Sequence, residues 1–532
     1  MTSPFGSSTK PNRARDTQVS AADPTELKPW AAGNLIHVDF NHQGNRGKFV
    51  IDPGTQRWSI LTNEEAALLK LFDGKRPLTD IKEIAEANMT LLDTQHVGRL
   101  TLRLLKEGLV TLRERDHSSL TAEIVRKTPI EAIHLEITNA CNLRCTHCYT
   151  TSGKPEKNEL SHDELRDIID TLEPHTGKKL AVSGGEPTVR KDLYPLLEYA
   201  AIERGLSVDL YTNAMLFTDK DIEVLQGLAN RAPHPFSIQI SLEGGTSESH
   251  DLVRGKGAFD KTVEIIEKLC SHGLSRHIIL FVCLSKNNVH EIPKMYQFAR
   301  SRKLGMFKLS QWQKQGRASD TSWEDQSPDL DTWLFWGQWV LDQDLSRSEL
   351  PVAGPFFGEL SNSTTGCYEI NAPLFPKVHC NLNIAPRIDS KGNTWSCQMF
   401  VETDALAGNT RENSVKDIFE GPIYAELLET AKTRTKVISE CQSCQWLPVC
   451  GGGCIGHSHA ETGDFVSKDL FCETRKYWFQ EYVDQQVKRY FSDEKASTAS
   501  CVEGRQPFAS SLLSSANEAG VPNAPAGALF SI

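Results

Sequence analysis

Ile133-His-Leu-Glu-Ile137, followed three residues later by Cys141-Asn-Leu-Arg-Cys145-Thr-His-Cys148-Tyr149, is the stretch that decides the fold. The first part predicts a β-strand, and the cysteines follow in the loop at its carboxyl end. Three thiolates at this spacing can hold three irons of a [4Fe–4S] cluster and leave the fourth iron open to a small molecule. Zinc is the alternative metal, but structural zinc sites prefer four protein ligands.

This strand opens a series of six strand patterns that alternate with amphipathic helices. The later strands are predicted over Leu180–Val182, Ser207–Tyr211, Ser237–Ile240, His277–Val282 and Met306–Leu309, and examples of the helices are Asp163–Leu172, Asp221–Leu228 and Lys261–Cys270. The alternation predicts an α/β fold with a parallel sheet curled into a partial (β/α)6 barrel of the TIM type. In such barrels the chemistry lies at the carboxyl ends of the strands.

Short polar motifs stand at those strand ends. They are Gly184-Gly-Glu-Pro187, Tyr211-Thr-Asn-Ala214, Ser241-Leu-Glu-Gly244, Arg254-Gly255 and Gly316-Arg-Ala318. Each motif alone has a structural explanation, such as a turn, a strand-end hydroxyl or a surface charge. Because they follow successive strands in order, they favour one shared site.

The cysteine loop and the strand-end motifs together resemble the radical S-adenosylmethionine (SAM) superfamily, with its CxxxCxxC and GGEP motifs. The resemblance implies that Cys141, Cys145 and Cys148 bind a [4Fe–4S] cluster that reduces SAM. The products would be methionine and a 5′-deoxyadenosyl radical, which takes a hydrogen atom from a substrate carbon. The cofactor carries this chemistry and the protein positions it. An external electron donor of the flavodoxin or ferredoxin type would supply the electron.

The same resemblance implies a set of SAM contacts. Gly184, Gly185 and Glu186 would receive the methionine amino group, since an ammonium needs acceptors and glycines let backbone carbonyls come close. Arg254 would pair with the SAM carboxylate. The remaining implied contacts are Asn213 in the Thr-Asn segment, Ser241 at the ribose, Tyr149 beside the adenine and Gly316–Ala318 near the adenosine.

A second group of cysteines follows the barrel. Its pattern is Cys380-x11-Gly392-x4-Cys397, then Cys441-x2-Cys444-x5-Cys450-x3-Cys454, and later Cys472. A CxxC pair alone would fit zinc or redox chemistry, but the seven cysteines resemble the SPASM domain of peptide-modifying radical SAM enzymes. The resemblance implies two auxiliary [4Fe–4S] clusters, one held by Cys380, Cys397, Cys454 and Cys367, the other by Cys441, Cys444, Cys450 and Cys472.

Two positions of this domain leave alternatives open. Cys367 is the candidate fourth ligand of the first auxiliary cluster, but an open iron that binds a substrate thiolate or backbone nitrogen is the alternative. Cys397-Gln-Met-Phe400 lacks the aspartate that follows the matching cysteine in sulfatase-maturing relatives. The missing base argues against a sulfatase maturase.

The N-terminal part predicts a small winged-helix unit. Strands are expected over Leu35–Phe40, Lys48–Ile51, Trp58–Leu61 and Leu109–Leu112, and helices from Thr62 to Phe72, Leu78 to Ala87 and Thr94 to Glu107. Thr62 and Glu65 form a capping-box pattern at the first helix. The unit resembles the RiPP recognition element, which captures the leader of a ribosomally made precursor peptide as an added strand beside its third helix. A DNA-binding winged helix is the alternative.

Composition limits the function classes. The net charge is −11 and no basic run occurs, which disfavours a nucleic-acid partner. No apolar run reaches the roughly 20 residues of a bilayer span, and Met1–Asp23 lacks a signal-peptide pattern, so a cytoplasmic protein without a membrane partner is expected. Eleven of the 14 cysteines fall in patterned groups, which indicates metal binding rather than disulfides. Cys270, Cys283 and Cys501 are expected to be ordinary thiols.

The predicted domain order follows from these patterns. We expect a disordered tail over 1–29, a leader-recognition domain over 30–115, a linker over 116–129, the radical SAM barrel over 130–320, a Trp-rich segment over 321–379, the SPASM domain over 380–492 and a flexible tail over 493–532. In the Trp-rich segment, Trp333, Trp336 and Trp339 share one helix. A packed aromatic stripe is favoured there over a cofactor platform.

The sequence therefore predicts a peptide maturase that forms a carbon–carbon or thioether cross-link in a precursor peptide. Three alternatives remain at this point: a sulfatase-maturase-like oxidation of a protein residue, radical modification of a small molecule, and a zinc-stapled binding protein without catalysis.

Overall fold

The computed structural model describes residues 27–33, 35–52, 57–90, 92–112, 130–319, 323–342, 350–354, 358–360, 385–401 and 405–500. The predicted N-terminal tail up to residue 26, Cys367, Cys380, Cys501 and the rest of the C-terminal tail lie outside these residues. The chain forms two compact units, Met1–Asp116 and His117–Ile532. Each is described by itself.

The first unit combines a three-stranded antiparallel sheet with three helices. Its elements are β1 (Trp30–Ala31), β2 (Ile36–His42), β3 (Asn45–Ile51), β4 (Trp58–Leu61), α1 (Asn63–Leu68), a 3₁₀ turn (Leu69–Leu71), α2 (Leu78–Asn88), α3 (Thr94–Glu107) and β5 (Val110–Thr111). The sheet order is β2–β3–β4, and β5 pairs with β1, a strand that the sequence analysis did not predict.

Local sequence signals fix the helix ends of this unit. The capping box is present, because Glu65 N donates to Thr62 Oγ1 and Thr62 N donates to the Glu65 carboxylate. Asp93 caps the start of α3, and Gly108 ends it in the left-handed region at φ 76°. The predicted first helix is shorter than expected: its α-helical part ends at Leu68.

The second unit is built on a mostly parallel sheet. Six parallel strands run in chain order, β6 (Ala132–Glu136), β7 (Lys179–Ser183), β8 (Ser207–Thr212), β9 (Phe236–Ser241), β10 (Ile278–Leu284) and β11 (Met306–Gln311). The predicted six-strand α/β order is therefore confirmed. Alternate positions of these strands are apolar and buried against the helices, including Leu180, Leu210 and Ile238.

Short strands extend this sheet at both edges. Next to β11 lie β12 (Val352–Gly354), which is parallel to it, and β13 (Gly358–Leu360); next to β6 lie β14 (Arg387–Ile388), also parallel, β15 (Asn393–Trp395) and β16 (Leu406–Asn409). In the described residues the sheet thus has 11 strands, where the sequence predicted six for the barrel. The guanidinium of Arg387 also forms a two-point ion pair with the Glu136 carboxylate, with both N–O distances 2.7 Å.

Amphipathic helices cover the barrel strands. They are α4 (His162–Ile169), α5 (Leu193–Glu198), continued by a π-helical turn (Tyr199–Glu203), α6 (Asp219–Arg231), α7 (Ser247–Arg254), α8 (Ala258–Ser271) and α9 (Ile292–Ser301). Capping boxes begin α4 at Ser161 and α6 at Thr218.

The C-terminal part of the unit is largely helical. It contains α10 (Trp323–Gln326), α11 (Leu330–Asp342), α12 (Val415–Phe419), α13 (Pro422–Thr433), α14 (Ser439–Gln442), α15 (Leu447–Cys450), α16 (Ile455–Thr462) and α17 (Cys472–Ser500). The last helix continues to Ser500, past the boundary predicted at residue 492. No helix in the described parts of the chain is both long enough and apolar enough to cross a bilayer.

The tryptophan stripe belongs to the core. Trp333 and Trp336 are 1% and 0% exposed, and Trp339 packs against the same core. Gly337 lies between these residues on α11, and a Cβ there would overlap the Trp478 ring of α17. The packing interpretation of this stripe is confirmed, and α11 fixes α17 against the barrel.

Candidate active site

The carboxyl ends of the barrel strands surround one cavity with about 1140 Å³ of empty space, part of it open to solvent. It brings together ten of the residues that the sequence assigned to the first cluster and to SAM, and Arg317 of the Gly316–Ala318 segment also lines it. The ten lining residues are Cys141, Cys145, Cys148, Tyr149, Gly184, Gly185, Glu186, Asn213, Ser241 and Arg254. The structure therefore places these positions around one cavity, and their roles stay predictions.

The cysteine loop presents three free thiols to this cavity. Cys145 is buried, and Cys141 and Cys148 are partly buried. Burial raises the pKa of the Cys141 thiol to about 11, and it raises the pKa of Cys145 against the opposing influence of the nearby Arg254 guanidinium. Buried thiols of this kind stay protonated unless a metal replaces the proton. Three such donors on one loop fit a [4Fe–4S] cluster with an open iron.

Arg317 fastens the cysteine loop. Its Nε donates to the Cys145 carbonyl at 2.9 Å, its Nη1 donates to the Ser152 carbonyl at 2.8 Å, and its backbone N–H donates to the Cys148 carbonyl at 3.0 Å. Gly316 precedes it at φ 57°, and a Cβ there would overlap the Tyr149 carbonyl. The Gly-Arg-Ala segment was predicted near the adenosine, and the structure adds a loop-holding role that the sequence did not reveal.

The glycine pair lets two loops touch. A Cβ at Gly184 would overlap the Thr138 carbonyl, and one at Gly185 would overlap the Ala140 carbonyl. Gly184 also has φ 143°, which side chains rarely tolerate. Both glycines are therefore required where the end of β7 meets the cysteine loop.

Glu186 is buried at 1% exposure and already accepts four hydrogen bonds. Oε1 accepts from Thr188 N–H, Thr188 Oγ1 and Thr212 Oγ1, and Oε2 accepts from the backbone N–H of Asn213 at 2.7 Å. Burial raises its pKa, and these donors oppose the rise. Only Oε2 retains room for a ligand ammonium, so Glu186 also positions the segment that carries Asn213.

Glu243 is the centre of an ion-pair cluster that the sequence analysis did not single out. Its Oε1 accepts from Arg254 Nη2 at 2.6 Å and lies 3.2 Å from His147 Nε2, and its Oε2 accepts from the Cys283 backbone N–H at 2.8 Å. Burial would raise the pKa of Glu243, but Arg254 and His147 outweigh burial and hold it below the usual range. The signal available in the sequence was the acidic third residue of Ser241-Leu-Glu-Gly244.

The barrel interior carries polar residues that the sequence analysis missed. Each of four barrel strands contributes one such side chain to the cavity lining: His134 on β6, Tyr211 on β8, Gln239 on β9 and Lys308 on β11. Tyr149 donates to Glu136 Oε1 at 3.2 Å and lies 3.4 Å from His134 Nε2. Polar residues within otherwise apolar strand patterns were the sequence signal from which these four residues could have been predicted.

The described cysteines of the C-terminal domain lie in two groups. Cys441, Cys444, Cys450 and Cys472 are close enough that the charge of one thiolate raises the pKa of another, on top of the effect of burial. Cys397 is buried in a small core against which Cys454 packs. Cys367 and Cys380 lie outside the described residues, so the first group is described only in part.

Gln398 connects this domain with the cavity. It lines the main cavity, and together with Cys397 it lines a smaller one of about 510 Å³ of empty space. His134, Tyr211 and Lys308 line both cavities. The two cavities therefore adjoin at the barrel interior.

Comparison with known proteins supports the iron–sulfur chemistry. Residues 135–299 match the radical SAM superfamily, and residues 380–445 match the SPASM iron–sulfur cluster-binding domain. The chain is 30% identical over 324 residues to the mycofactocin maturase MftC of Mycobacterium tuberculosis (strain CDC 1551 / Oshkosh), an alignment that covers 60% of this chain and 77% of MftC. It is 29% identical over 353 residues to an AdoMet-dependent heme synthase of Methanosarcina barkeri, covering 63% of this chain and 94% of that protein.

Among solved structures, SuiB of Streptococcus suis bound to its precursor peptide SuiA is similar. The TM-score is 0.52 at 16% identity, and the match covers 84% of this chain and 99% of SuiB. At this identity the similarity concerns the fold. These matches imply [4Fe–4S] clusters and SAM as cofactors, which agrees with the three thiols that face the cavity.

Proposed function

The chain belongs to the radical SAM superfamily and carries a SPASM domain, and from this premise we propose that it is an enzyme that modifies a ribosomally synthesised precursor peptide. The observation that carries the proposal is the shared cavity. The three cysteines of the barrel loop open onto it, and so does Gln398, which follows Cys397. A substrate there would lie against residues of both iron–sulfur domains. The names of MftC, a maturase, and of SuiB bound to a precursor peptide support a peptide as the substrate.

Cys141, Cys145 and Cys148 would hold the cluster that binds SAM. When bound, this cluster and SAM supply a 5′-deoxyadenosyl radical that removes a hydrogen atom from the substrate. The backbone at Gly184 and Gly185 and the free side of Glu186 would accept from the methionine ammonium. Arg254, already oriented by Glu243, would pair with the carboxylate of SAM. Asn213, Ser241 and Tyr149 would contact the ribose and the adenine.

The SPASM cysteines would hold two auxiliary clusters. Cys441, Cys444, Cys450 and Cys472 form one ligand set, and Cys397, Cys454, Cys380 and Cys367 the other. These clusters would accept the electron that remains after hydrogen abstraction. The expected product is a carbon–carbon or thioether cross-link in the core of the peptide.

The N-terminal unit would bind the leader of the precursor. β4 is an edge strand of the three-stranded sheet, and Arg103 of α3 donates to the Ile60 carbonyl of β4 at 3.4 Å. An extended peptide could therefore add to the β4 edge with its side chains against α3.

Mass spectrometry of a candidate precursor tests the proposal. The anaerobically reconstituted enzyme, SAM and dithionite are incubated with a short peptide encoded in a neighbouring reading frame, once with its leader and once as the core alone. We expect a mass change and 5′-deoxyadenosine, both dependent on the leader. Cys145→Ala should abolish both products, whereas Cys270→Ala, outside the cavity lining, should abolish neither. Unchanged 5′-deoxyadenosine formation by Cys145→Ala would contradict the assignment.

Modification of a tetrapyrrole is the second candidate function. The observation that favours it is the heme synthase relative, of which this chain covers 94%. The same enzyme preparation is incubated with iron coproporphyrin III in place of the peptide. A mass change of the porphyrin, with no change of any neighbouring peptide, would replace the first proposal by the second.

A further inference from the structure

Lys308 stands where the two cavities adjoin. It lies on β11 opposite Phe281 of β10, and its side chain lines both the main and the smaller cavity. Gln311, the last residue of the strand, follows it three positions later, which places Lys308 roughly 10 Å below the rim of the barrel. It is therefore an interior group, deeper than the loops that follow the strands.

The ammonium of Lys308 is poorly compensated. Among the described residues, its hydrogen-bond acceptor is the amide oxygen Oε1 of Gln239 at 3.4 Å, and its Nζ lies 5.8 Å from the centre of the Phe281 ring. A long bond to a neutral oxygen and a distant ring face compensate a buried cation only weakly. Burial lowers the pKa of Lys308 to about 8; the nearby Lys179 adds to this effect, and the Asp209 carboxylate opposes it.

The carboxylates around this position already have partners. Asp209 pairs with Lys179 at 2.5 Å and accepts from Ser237 Oγ. Glu136 holds Arg387, as described above, and Glu243 holds Arg254. Among the described residues, Lys308 thus has no carboxylate within ion-pair distance.

Apart from the Lys179–Asp209 ion pair, two titratable neighbours of Lys308 are neutral. Burial lowers the pKa of His134 to about 4, so this imidazole carries no charge at neutral pH, and burial raises the pKa of Tyr211, which keeps its hydroxyl protonated. Tyr211, Gln239 and Ser310 line the same cavity and offer hydroxyl and amide donors. One cation among neutral donors suits a singly charged, planar anion.

We propose that Lys308 and the donors around it bind a carboxylate of the substrate and so fix the residue that is modified. This inference rests on the proposed peptide function and names the group by which the peptide is held. The carboxylate would belong to an Asp or Glu side chain of the core or to the C-terminus of the peptide. Lys308 would act as a positioning residue, because it lies below the cluster loop and holds no reacting atom.

The test uses the reconstituted full-length enzyme and the precursor peptide that it modifies. Lys308→Met removes the charge at similar volume, Lys308→Arg restores it, and Lys261→Met removes an exposed lysine as the control. We expect Lys308→Met to raise the KM for the peptide at least about tenfold, since a charge-assisted hydrogen bond contributes about 1.5–3 kcal/mol. Lys308→Arg restores the positive charge, so its KM for the peptide should lie between the wild-type value and that of Lys308→Met. Lys261→Met should leave the KM for the peptide, the SAM affinity and 5′-deoxyadenosine formation unchanged.

Neutral peptides identify the carboxylate. One peptide carries a C-terminal amide, and others carry Asn or Gln in place of each acidic core residue. One of these peptides should show about the same tenfold rise in KM with the wild-type enzyme. Its KM should rise no further with Lys308→Met. The inference is wrong if Lys308→Met turns over the natural peptide with an unchanged KM, or if it weakens SAM binding instead. The proposed function itself fails separately, when the wild-type enzyme changes the mass of no peptide.

Discussion

Arg317 holds the cysteine loop through three hydrogen bonds to backbone carbonyls, and its loss should loosen the cluster site. The two side-chain bonds come from a charged group, so Arg317→Ala should cost the metal-free protein about 2 kcal/mol. We expect the variant to retain less iron after reconstitution, measured as iron and sulfide per chain. Arg231→Ala, which breaks the exposed pair with Glu198, is the control and should retain iron like the wild type. Equal iron contents in the two variants would contradict the role.

His250 should make the protein sensitive to mild acid. Its Nδ1 accepts from the Glu243 backbone N–H at 2.9 Å, and burial, with Arg254 nearby, lowers its pKa from 6.5 to about 4. The unfolded chain therefore binds a proton between these pH values that the native chain does not. The stabilisation is complete above pH 6.5 and falls by about 2–3 kcal/mol as the pH drops to 4.

Urea unfolding at a series of pH values measures this effect. His250→Asn keeps an acceptor for the Glu243 N–H but cannot titrate, so its unfolding free energy should change less between pH 6.5 and 4. His290→Asn, at an exposed position, should keep the wild-type slope. A parallel loss of stability in the wild type and His250→Asn would rule out this source of acid sensitivity.

At the scale of single residues, the sequence predicted what short motifs carry. The cysteines and the strand-end glycines were predicted because they belong to short motifs whose residue types and spacing are recognisable in the sequence. The sequence predicted neither the pairing of Glu243 with His147 nor the position of Lys308 beside Gln239. These contacts join residues that lie far apart in the chain, and only the folded sheet brings them together.

Among the elements, α11 depends on a glycine at its contact with α17. Gly337→Ala would push a methyl group into the Trp478 ring and should destabilise the protein by about 1–3 kcal/mol. Gly227→Ala on α6 is the matched control, because a Cβ there meets nothing within 4 Å. It should stabilise the protein by about 0.5–1 kcal/mol. Thermal unfolding compares the two, and equal shifts would contradict the packing argument.

The predicted elements agree with the structure where their periodic pattern is long. The predicted third helix, Thr94–Glu107, matches α3 at both ends because Asp93 and Gly108 cap it. β12, β14 and the π-helical turn after α5 were missed. Strands of two or three residues carry no recognisable alternation, and they form only because a neighbouring strand leaves its edge unpaired.

For the whole molecule, the two compact units should unfold in two transitions. Each has its own apolar core, one around Leu100 and Leu104 and the other around the barrel strands. Leu100→Ala, at a position 3% exposed, should lower only one transition temperature, and Gly337→Ala only the other. Differential scanning calorimetry checks this. A single transition that both variants shift equally would show that the units unfold together.

The pairing of β6 with β14 has a consequence for synthesis of the chain on the ribosome. Arg387 reaches its partner Glu136 across 251 residues, and β14 follows the entire barrel in the sequence. At a synthesis rate of about 5–20 residues per second, the edge of β6 stays unpaired for roughly 13–50 s before β14 has been made. During that interval the nascent barrel exposes an open parallel edge, which is a template for wrong pairing. The late C-terminal domain thus covers this edge of the sheet as well as supplying cysteines, and nascent chains that stop before β14 should depend on chaperones.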